Sequence, residues 1–547
     1  MILSALGVLA AAAAGAAAIL LPAGRLRSAT MLLALVLFPV LILGDQWHST
    51  QIVDLRHDST RLVALAAAAL AAAAVLAAIF DRWPIVLPLT IVFALPFRVP
   101  LHAGGDTANL LVPLYLVIAG GVLMTAWRAW ATSDSRAGGT GEGGVEDGPW
   151  PARGAPPSPV PPARWLPIVL ASVVILYALQ TLYSPDFSKS LQNVCFFFVP
   201  FSLVYALLRD VSWDRKLLKL VLWVVAIEAV AFVLVGSIEY FSRELFWNDQ
   251  VIRSNEFHTY FRVNSIFWDP NIYGRYLVLV IVIAMSALLW AKERRTLALL
   301  TGFVSVLWFG LLLTFSQSSF AALLAGLGVL AALRWSLRWT LAAVGVGAIL
   351  AIAIVIFAGG TPKLTPDRCN ADIGGRCSLI SGGVTMFAQR PIWGYGAGSF
   401  PRAYREHVAT KKAPVSVSHT EPITVAAEQG IIGLAAYAGL LVVALWTMAY
   451  GLGWGGERRE GRGVLRRKLW SPPRQEPERP PQCGFPQGDT PTLPPPPQAI
   501  ARAAVLATFV ALLVHTMAYA GFYEDPITWV LLAVGASLAT IPVRDAA

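Results

Sequence analysis

Two long polar segments of a chain that is otherwise mostly apolar contain arginines and histidines, of which three arginines and one histidine are candidate site residues. Arg262 and Arg275 belong to residues 253–275, whereas Arg376 and His419 belong to residues 359–422. A guanidinium is a planar fork that can bind two oxygens of one phosphate group. An imidazole that is neutral near pH 7 can accept a proton from an attacking hydroxyl. These residue types therefore predict a site that binds a phosphate-like anion and activates a nucleophile.

Further polar and aromatic side chains stand in or beside the same segments, and we interpret them as substrate contacts. They are Asp269, Asn271, Ser316, Ser318, Trp393 and Glu428. Glu428 follows His419 inside a predicted helix, so it either orients the histidine or holds a helix end. Trp393 either stacks on a sugar ring or belongs to the belt of aromatic residues that membrane proteins carry at the lipid surface.

The composition excludes a soluble protein and predicts an integral membrane protein. The 547 residues are 56% hydrophobic and only 14% charged, with a mean hydropathy of +0.62. A helix needs about 20 apolar residues to cross roughly 30 Å of hydrocarbon, and backbone groups in lipid must pair within their own segment. We predict an all-α, polytopic helical bundle with a large extracytoplasmic loop that carries short helices. The apolar runs are residues 1–21, 28–44, 62–80, 84–97, 109–126, 165–182, 194–208, 217–237, 270–290, 296–315, 319–333, 339–358, 423–449, 503–520 and 527–541.

The distribution of basic residues predicts the orientation of the chain. Short loops on the face that carries the carboxyl terminus hold most of the lysines and arginines, which places that face in the cytoplasm. The net charge of +10 then indicates contact with anionic membrane lipids and requires no nucleic acid. The first apolar run is interpreted as a retained helix. In this topology residues 253–275, the turn at residues 314–319 and residues 359–422 all lie outside.

Two segments rich in Gly, Pro and charge divide the chain. The predicted parts are N-terminal transmembrane helices at 1–130, a cytoplasmic Gly/Pro-rich linker at 131–164, a transmembrane core at 165–450 that includes the outer loop 359–422, a cytoplasmic basic Pro-rich linker at 451–499, and C-terminal transmembrane helices at 500–547. The linker composition is typical of extended or disordered chain.

Four motifs in a fixed order resemble the O-antigen ligase and O-antigen polymerase superfamily. The resemblance covers roughly residues 165–450. The motifs are Arg262-x-x-Ser-x-Phe-x-Asp-Pro-Asn-x-Tyr-Gly274, Thr314-Phe-Ser-x-Ser318, Arg376 followed by Pro391-Ile-Trp-Gly-Tyr-Gly-Ala-Gly-Ser-Phe400, and His419 followed by Glu428-x-Gly-Ile-Ile-Gly433.

The resemblance implies a membrane glycosyltransferase of the cytoplasmic (inner) membrane that acts at the outer face. Such an enzyme transfers a glycan from a polyprenyl diphosphate carrier to a lipid, glycan or protein acceptor. Arg262 and Arg376 would bind the diphosphate, Arg275 would be a further contact, and His419 would be the base. Arginines neutralise the diphosphate in this scheme, so we expect neither a cofactor nor a metal ion. Family members often carry an arginine where this chain has Gln317, which puts one donor contact in doubt.

Other interpretations stay open. A ligase moves a finished glycan, whereas a polymerase of the same superfamily joins repeat units that remain on their carriers, and the motifs do not separate the two. A transporter or flippase of lipid-linked oligosaccharides predicts polar groups near the bilayer midplane; Glu228 is the main charge deep within an apolar run. His419 can also be an interfacial residue, and the arginines can anchor loops to lipid headgroups.

The outer loop contains two further features. Cys369 and Cys377 lie in a compartment that permits disulfides, so we predict a bridge between them. Gly394, Gly396 and Gly398 predict a tight turn that returns the loop to the membrane, because no strand precedes them as a nucleotide-binding loop requires.

Overall fold

The apolar runs of the sequence form helices, which begin and end at polar, proline or glycine residues. The structure is a computed structural model, and it describes residues 2–49, 53, 59–103, 106–137, 161–246, 251–252, 255, 260–346, 376–408, 417–452 and 497–539. Within these ranges twelve helices are long and apolar enough to cross a membrane, and Leu337–Val346 and Pro526–Ala539 are shorter apolar helices. The predicted all-α polytopic bundle is confirmed.

The elements follow one another in a simple order. The helices are α1 Ile2–Leu20, α2 Arg25–Asp45, α3 Ser59–Arg82, α4 Val86–Ala94, α5 Val112–Ala137, α6 Pro161–Thr181, α7 Phe187–Asn193, α8 Val199–Leu208, α9 Arg215–Ser242, α10 Pro270–Trp290, α11 Arg294–Thr314, α12 Gln317–Arg334, α13 Leu337–Val346, α14 Arg376–Gln389, α15 Phe400–His407, α16 Glu421–Ala449, α17 Pro497–Thr516 and α18 Pro526–Ala539. A π-helical segment, Val194–Phe198, joins α7 to α8.

The apolar run at residues 84–97 forms a shorter helix than the hydropathy predicts. Residues 84–97 form only the nine-residue helix α4, which ends just before Pro96, because proline lacks the N–H that would continue the hydrogen bonds of the helix. The chain then forms a two-stranded antiparallel hairpin, β1 Val99–Ala103 and β2 Asp106–Leu110, which the hydropathy pattern does not indicate.

Helix α10 lies at the centre of the part of the bundle that positions the site. It packs against α9, α11, α12 and α17, and α17 packs in turn against α12, α16 and α18. Most side chains of α10 from Pro270 to Val282 are buried. Such burial is expected of a helix that is apolar on every face. The ends of the surrounding helices are therefore held in fixed positions around the first turns of α10.

Contacts between loops agree with the alternation of faces that the sequence predicts. Arg27 forms an ion pair with Asp210, and Arg128 pairs with Asp81 at 2.7 Å; the sequence places all four residues on one face. On the other face, Ser188 Oγ donates to Asp45 at 2.8 Å. These contacts group loops by face. Which face is outside, and where the predicted domain boundaries fall, stay predictions; α5 extends to Ala137, past the boundary at 131.

Candidate functional site

A buried glutamate holds the backbone of the segment that carries Arg262. The Glu239 carboxylate, near the end of α9, accepts hydrogen bonds from the backbone N–H groups of Asn264 at 3.2 Å and Ser265 at 2.7 Å. Ser265 has a φ of +53°, which is uncommon for a residue other than glycine. Because Glu239 is fully buried, these bonds are shielded from water and hold the segment rigidly.

The Arg262 side chain is held across two other elements. Its Nε donates to the Thr314 carbonyl at 3.0 Å, and its Nη2 donates to Asn271 Oδ1 at 3.2 Å. Burial lowers the pKa of the Arg262 guanidinium, and the charge of Arg376 lowers it further, while Asp269 acts in the opposite direction. The two arginines therefore lie within electrostatic reach of each other.

A chain of hydrogen bonds runs from Asn271 across the turn between α11 and α12. Ser316 Oγ donates to Asn271 Oδ1 at 2.9 Å and contacts Ser318 Oγ at 3.2 Å. Ser318 Oγ in turn lies 3.3 Å from Nε2 of His515 in α17. Asp269 caps the start of α10 and Ser316 caps the start of α12, as short polar side chains commonly do. The structure thus brings Arg262, Asn271, Ser316 and Ser318 together, as the motifs predict.

Arg376 and His419 meet at Tyr519, a residue to which the motifs do not point. Arg376 Nη1 donates to the Ala518 carbonyl at 3.4 Å. The ring centres of His419 and Tyr519 are 6.4 Å apart, and His515 lies on the same tyrosine at 5.9 Å. The rings of His419 and His515 therefore both lie near the ring of Tyr519.

The environment of His419 favours its neutral form. Burial lowers the pKa of the His419 imidazole, the charge of Arg376 lowers it further, and Asp269 opposes both effects. Its φ of +62° is sparsely populated by residues with a Cβ and costs on the order of 1 kcal/mol or more. Such strain persists where neighbouring contacts fix the backbone. One such contact joins the two residues that flank His419, because Ser418 Oγ donates to the Thr420 carbonyl at 2.8 Å.

Arg275 lies one turn deeper in α10, at the edge of the same site. It is only 4% exposed and forms an ion pair with Asp525 at 2.8 Å. Asp525 also caps α18 by accepting from the Ile527 N–H at 2.9 Å. The dipeptide Asp-Pro at 525–526, like the one at 269–270, indicates a helix start, but it does not indicate the pairing with Arg275.

Glu428 binds backbone of the glycine turn. Its buried carboxylate accepts from the N–H groups of Gly398 at 2.8 Å and Phe400 at 2.9 Å. Gly394, Gly396 and Gly398 have positive φ values of 68°, 103° and 66°, so the three glycines do form a tight turn. Of the two roles considered for Glu428, these contacts match the structural one.

Trp393 lies in that turn and is 61% exposed. It lines an open, largely apolar groove of about 670 Å³ together with Tyr183 and Arg390. Arg262, Arg376 and His419 do not line this groove. Trp393 is thus placed on a different surface from those three side chains.

Helix α16 is interrupted at Gly430, where the glycine turn docks. Gly430 has φ 64° and ψ −162°. The carbonyls of Ala427 and Glu428 accept from the N–H groups of Tyr395 at 3.1 Å and Gly396 at 2.7 Å, and the N–H of Ile431 donates to the Pro391 carbonyl at 2.7 Å. The helix thus exchanges internal hydrogen bonds for bonds to the turn.

Gly430→Ala is expected to destabilise the protein. A Cβ at this position would lie 2.3 Å from the Ile392 carbonyl oxygen, and the backbone conformation alone costs an alanine about 1–3 kcal/mol. We expect a lower melting temperature of the purified protein in detergent. Gly439→Ala is the matched control, because it lies in the same helix with nothing within 4 Å of the new Cβ. Equal melting temperatures for the two variants would contradict this account of the break.

Only one of the two cysteines of the predicted bridge lies within the described residues. Cys377 is disulfide-bonded, and Cys195 is free and buried. Cys369 lies outside the described residues, so the Cys369–Cys377 pairing stays a prediction. A bridge at Cys377 would restrain the backbone next to Arg376.

Comparison with known proteins supports the resemblance. Residues 302–438 match the family model described as O-antigen ligase. No curated protein matches the chain significantly. The matched region includes the 314–319 turn, Arg376, the glycine turn and His419; Arg262 and Asn271 precede it and His515 and Tyr519 follow it. The chain is thus a multi-pass membrane protein that is similar, over this region, to the O-antigen ligase and polymerase superfamily, whose members are membrane glycosyltransferase-like enzymes.

Proposed function

We propose that the protein is an O-antigen ligase-like glycosyltransferase, which transfers a glycan from a polyprenyl diphosphate carrier to an acceptor hydroxyl at the outer face of the cytoplasmic membrane. The observation that carries this proposal is the grouping of two guanidiniums, Arg262 and Arg376, with His419, whose pKa is lowered. The family match at residues 302–438 supplies the reaction class. Both the donor diphosphate and the acceptor hydroxyl have a suitable partner in this group.

The residues divide the reaction into three tasks. Neutral His419 accepts the proton of the acceptor hydroxyl as its oxygen attacks the anomeric carbon. The bond between that carbon and the diphosphate oxygen breaks, and its electron pair remains on the oxygen. Arg262 and Arg376 stabilise the resulting negative charge, which is greater on the leaving group than on the bound donor. Asn271 and Ser316 orient Arg262 through the bonds described above.

The acceptor decides between ligation and polymerisation, and deletion of the gene tests it. A ligase deletion accumulates long glycan on the polyprenyl carrier, a polymerase deletion accumulates single repeat units, and a flippase deletion leaves material on the cytoplasmic face. We expect long glycan, detected by mass spectrometry of the extracted carrier lipids. Accumulation of single units would replace the ligase assignment with a polymerase one, and cytoplasmic material would reject both.

The pH dependence of transfer follows from the state of His419. The base is active when neutral, so kcat/KM falls as the pH drops through the pKa of His419. Because burial and Arg376 lower that pKa from its ordinary value of about 6.5, we expect the acid limb of the profile to lie below pH ~6.5. Asp269→Asn keeps a helix-capping side chain but removes a charge that raises this pKa.

The acid limb of Asp269→Asn should therefore move to still lower pH. The measurement is the profile of kcat/KM against pH for both proteins with the same donor. A shift of the acid limb to higher pH in Asp269→Asn would contradict the assignment of this limb to the titration of His419.

A further inference from the structure

A second group of charges lies beside the proposed site and includes a residue from the amino-terminal third of the chain. Arg275 and Asp525 form a buried ion pair at 2.8 Å. Arg98 lies within electrostatic reach of both of these residues and of Tyr519. Among the described residues only Arg275 lies within ion-pair distance of Asp525, so the nearby Arg98 adds about one positive charge without a paired carboxylate in a region of low dielectric constant.

Aromatic packing holds the residue before Arg98 against α9, close to the first turns of α10. The ring of Phe97 lies 6.0 Å from that of Phe232 in α9. Phe232 in turn packs against Phe267 and Tyr276, each with ring centres 5.4 Å away. Arg98 and Arg275 each directly adjoin a member of this aromatic cluster, Phe97 and Tyr276. The residue before Arg98 thus packs on Phe232 of α9, which in turn packs on Tyr276 of α10, the helix that carries Arg275.

Two buried nitrogens at this location have unused hydrogen-bonding capacity. Arg275 Nη1 is buried and has no hydrogen-bond partner among the residues that the structure describes. His515 Nδ1 is likewise buried; it lies near the backbone of Asn271 but forms no hydrogen bond of normal geometry within the described ranges. Leaving a buried donor unsatisfied costs about 1–3 kcal/mol. Positive charge together with the unsatisfied N–H group of Arg275 is the chemistry that receives an anionic oxygen.

This second group is continuous with the first. Tyr519 lies within electrostatic reach of Arg98, Arg275 and Arg376. The hydrogen-bond chain from Arg262 through Asn271, Ser316 and Ser318 ends on His515. A ligand with two adjoining anionic groups could therefore contact both sets of side chains at once.

We propose that Arg98, Arg275 and His515 form a second anion subsite that binds one phosphate of the donor diphosphate, while Arg262 and Arg376 hold the other. This inference rests on the proposed function. Arg98 lies far outside residues 302–438, so the amino-terminal helices contribute directly to the site. In the transfer step the subsite takes up part of the negative charge that the leaving diphosphate gains when its bond to the sugar breaks.

The test compares binding of farnesyl diphosphate and farnesyl monophosphate to the full-length protein in phosphatidylcholine nanodiscs. Arg98→Gln should weaken diphosphate binding by about 10- to 100-fold, the loss of one charge-assisted hydrogen-bonded contact. Monophosphate binding should change much less, because that ligand needs only one subsite. Arg98→Lys keeps the charge but loses the fork, so it should be intermediate. Arg243→Gln is the matched control: Arg243 stacks on Tyr240 at 4.5 Å, and both affinities should be unchanged.

The outcomes separate the inference from the proposed function. If Arg262→Ala weakens diphosphate binding but Arg98→Gln and Arg98→Lys do not, the second subsite is wrong and the proposed function stands. If the unaltered protein binds neither prenyl phosphate, both are wrong. Equal weakening of both ligands by Arg98→Gln would show a general charge effect and overturn the subsite. An effect of Arg98→Gln that appears only when phosphatidylglycerol is added would assign Arg98 to a lipid headgroup. If Arg98→Gln does not fold, as judged by gel filtration, Arg98→Lys alone decides.

Discussion

His419→Ala is expected to lower the rate of glycan transfer by about 10²- to 10⁴-fold, the usual contribution of a positioned general base. The imidazole is partly buried, lies beside Tyr519 and has a lowered pKa, so it is mostly neutral at pH 7. Alanine removes the proton acceptor and leaves the two arginines in place. The loss should therefore appear in kcat, while the affinity for the donor changes little. Single-turnover transfer with purified donor and acceptor measures both quantities.

A second histidine provides the control for this change. His407 ends α15, is exposed, and lies 5.0 Å from the ring of Tyr395. Tyr395 does not belong to the proposed site, so His407→Ala should transfer glycan at the normal rate. Normal transfer by His419→Ala would reject His419 as the base. A loss confined to donor affinity would instead make it a binding residue.

Arg262→Ala should reduce transfer by roughly 10²- to 10³-fold, comparable to the loss of one donor that stabilises developing charge. Arg262→Lys should be nearly as defective although it keeps the charge. The guanidinium is oriented by its bonds to the Thr314 carbonyl and Asn271 Oδ1, and an ammonium group cannot reproduce that fork. The measurement is kcat/KM with saturating acceptor. The lysine variant is the informative one, because it separates geometry from charge.

Arg243→Lys is the matched control for that substitution. Arg243 follows α9 on the same face and packs over the rings of Tyr240 and Phe261 at 4.5 Å and 5.4 Å. Lysine retains much of that contact, so transfer should stay normal. If Arg262→Lys is also fully active, a bidentate contact with the diphosphate is wrong, and Arg262 acts only as a positive charge.

The membrane bundle could be predicted from sequence because apolar length is a direct physical requirement of the bilayer. The Arg262 segment and the 314–319 turn could be placed together because their motifs are local and their faces agree. Asp525, His515 and Tyr519 could not be predicted in the same way. His515 and Tyr519 lie in or just after an apolar helix far along the chain, where a single polar residue has no distinguishing pattern. Their importance comes from packing against α10, which only the fold provides.

The surroundings of residues in the amino-terminal part of the chain could not be predicted from the sequence either. Hydropathy predicts a membrane helix at 84–97, but a proline shortens it, and the chain continues into the hairpin at Val99–Ala103 and Asp106–Leu110. Arg98 is therefore presented within electrostatic reach of Arg275 and Asp525, which are more than 150 positions away. No local spacing encodes that proximity. For Glu428 the sequence motif identifies the residue but not its partners. Only its bonds to Gly398 and Phe400 show which backbone it holds.

The break at Gly430 divides α16 into two parts that are both tied to the glycine turn. Residues 421–429 form a short arm that is bonded to the 391–396 turn by backbone bonds, and Gln180 adds a bond to the Gln429 carbonyl at 3.1 Å. On the other side of the break, the N–H of Ile431 donates to the Pro391 carbonyl. Helices tilt when their length and the thickness of the membrane differ. We expect the turn to hold this arm, and with it the backbone beside His419, in place when the longer part of α16 tilts.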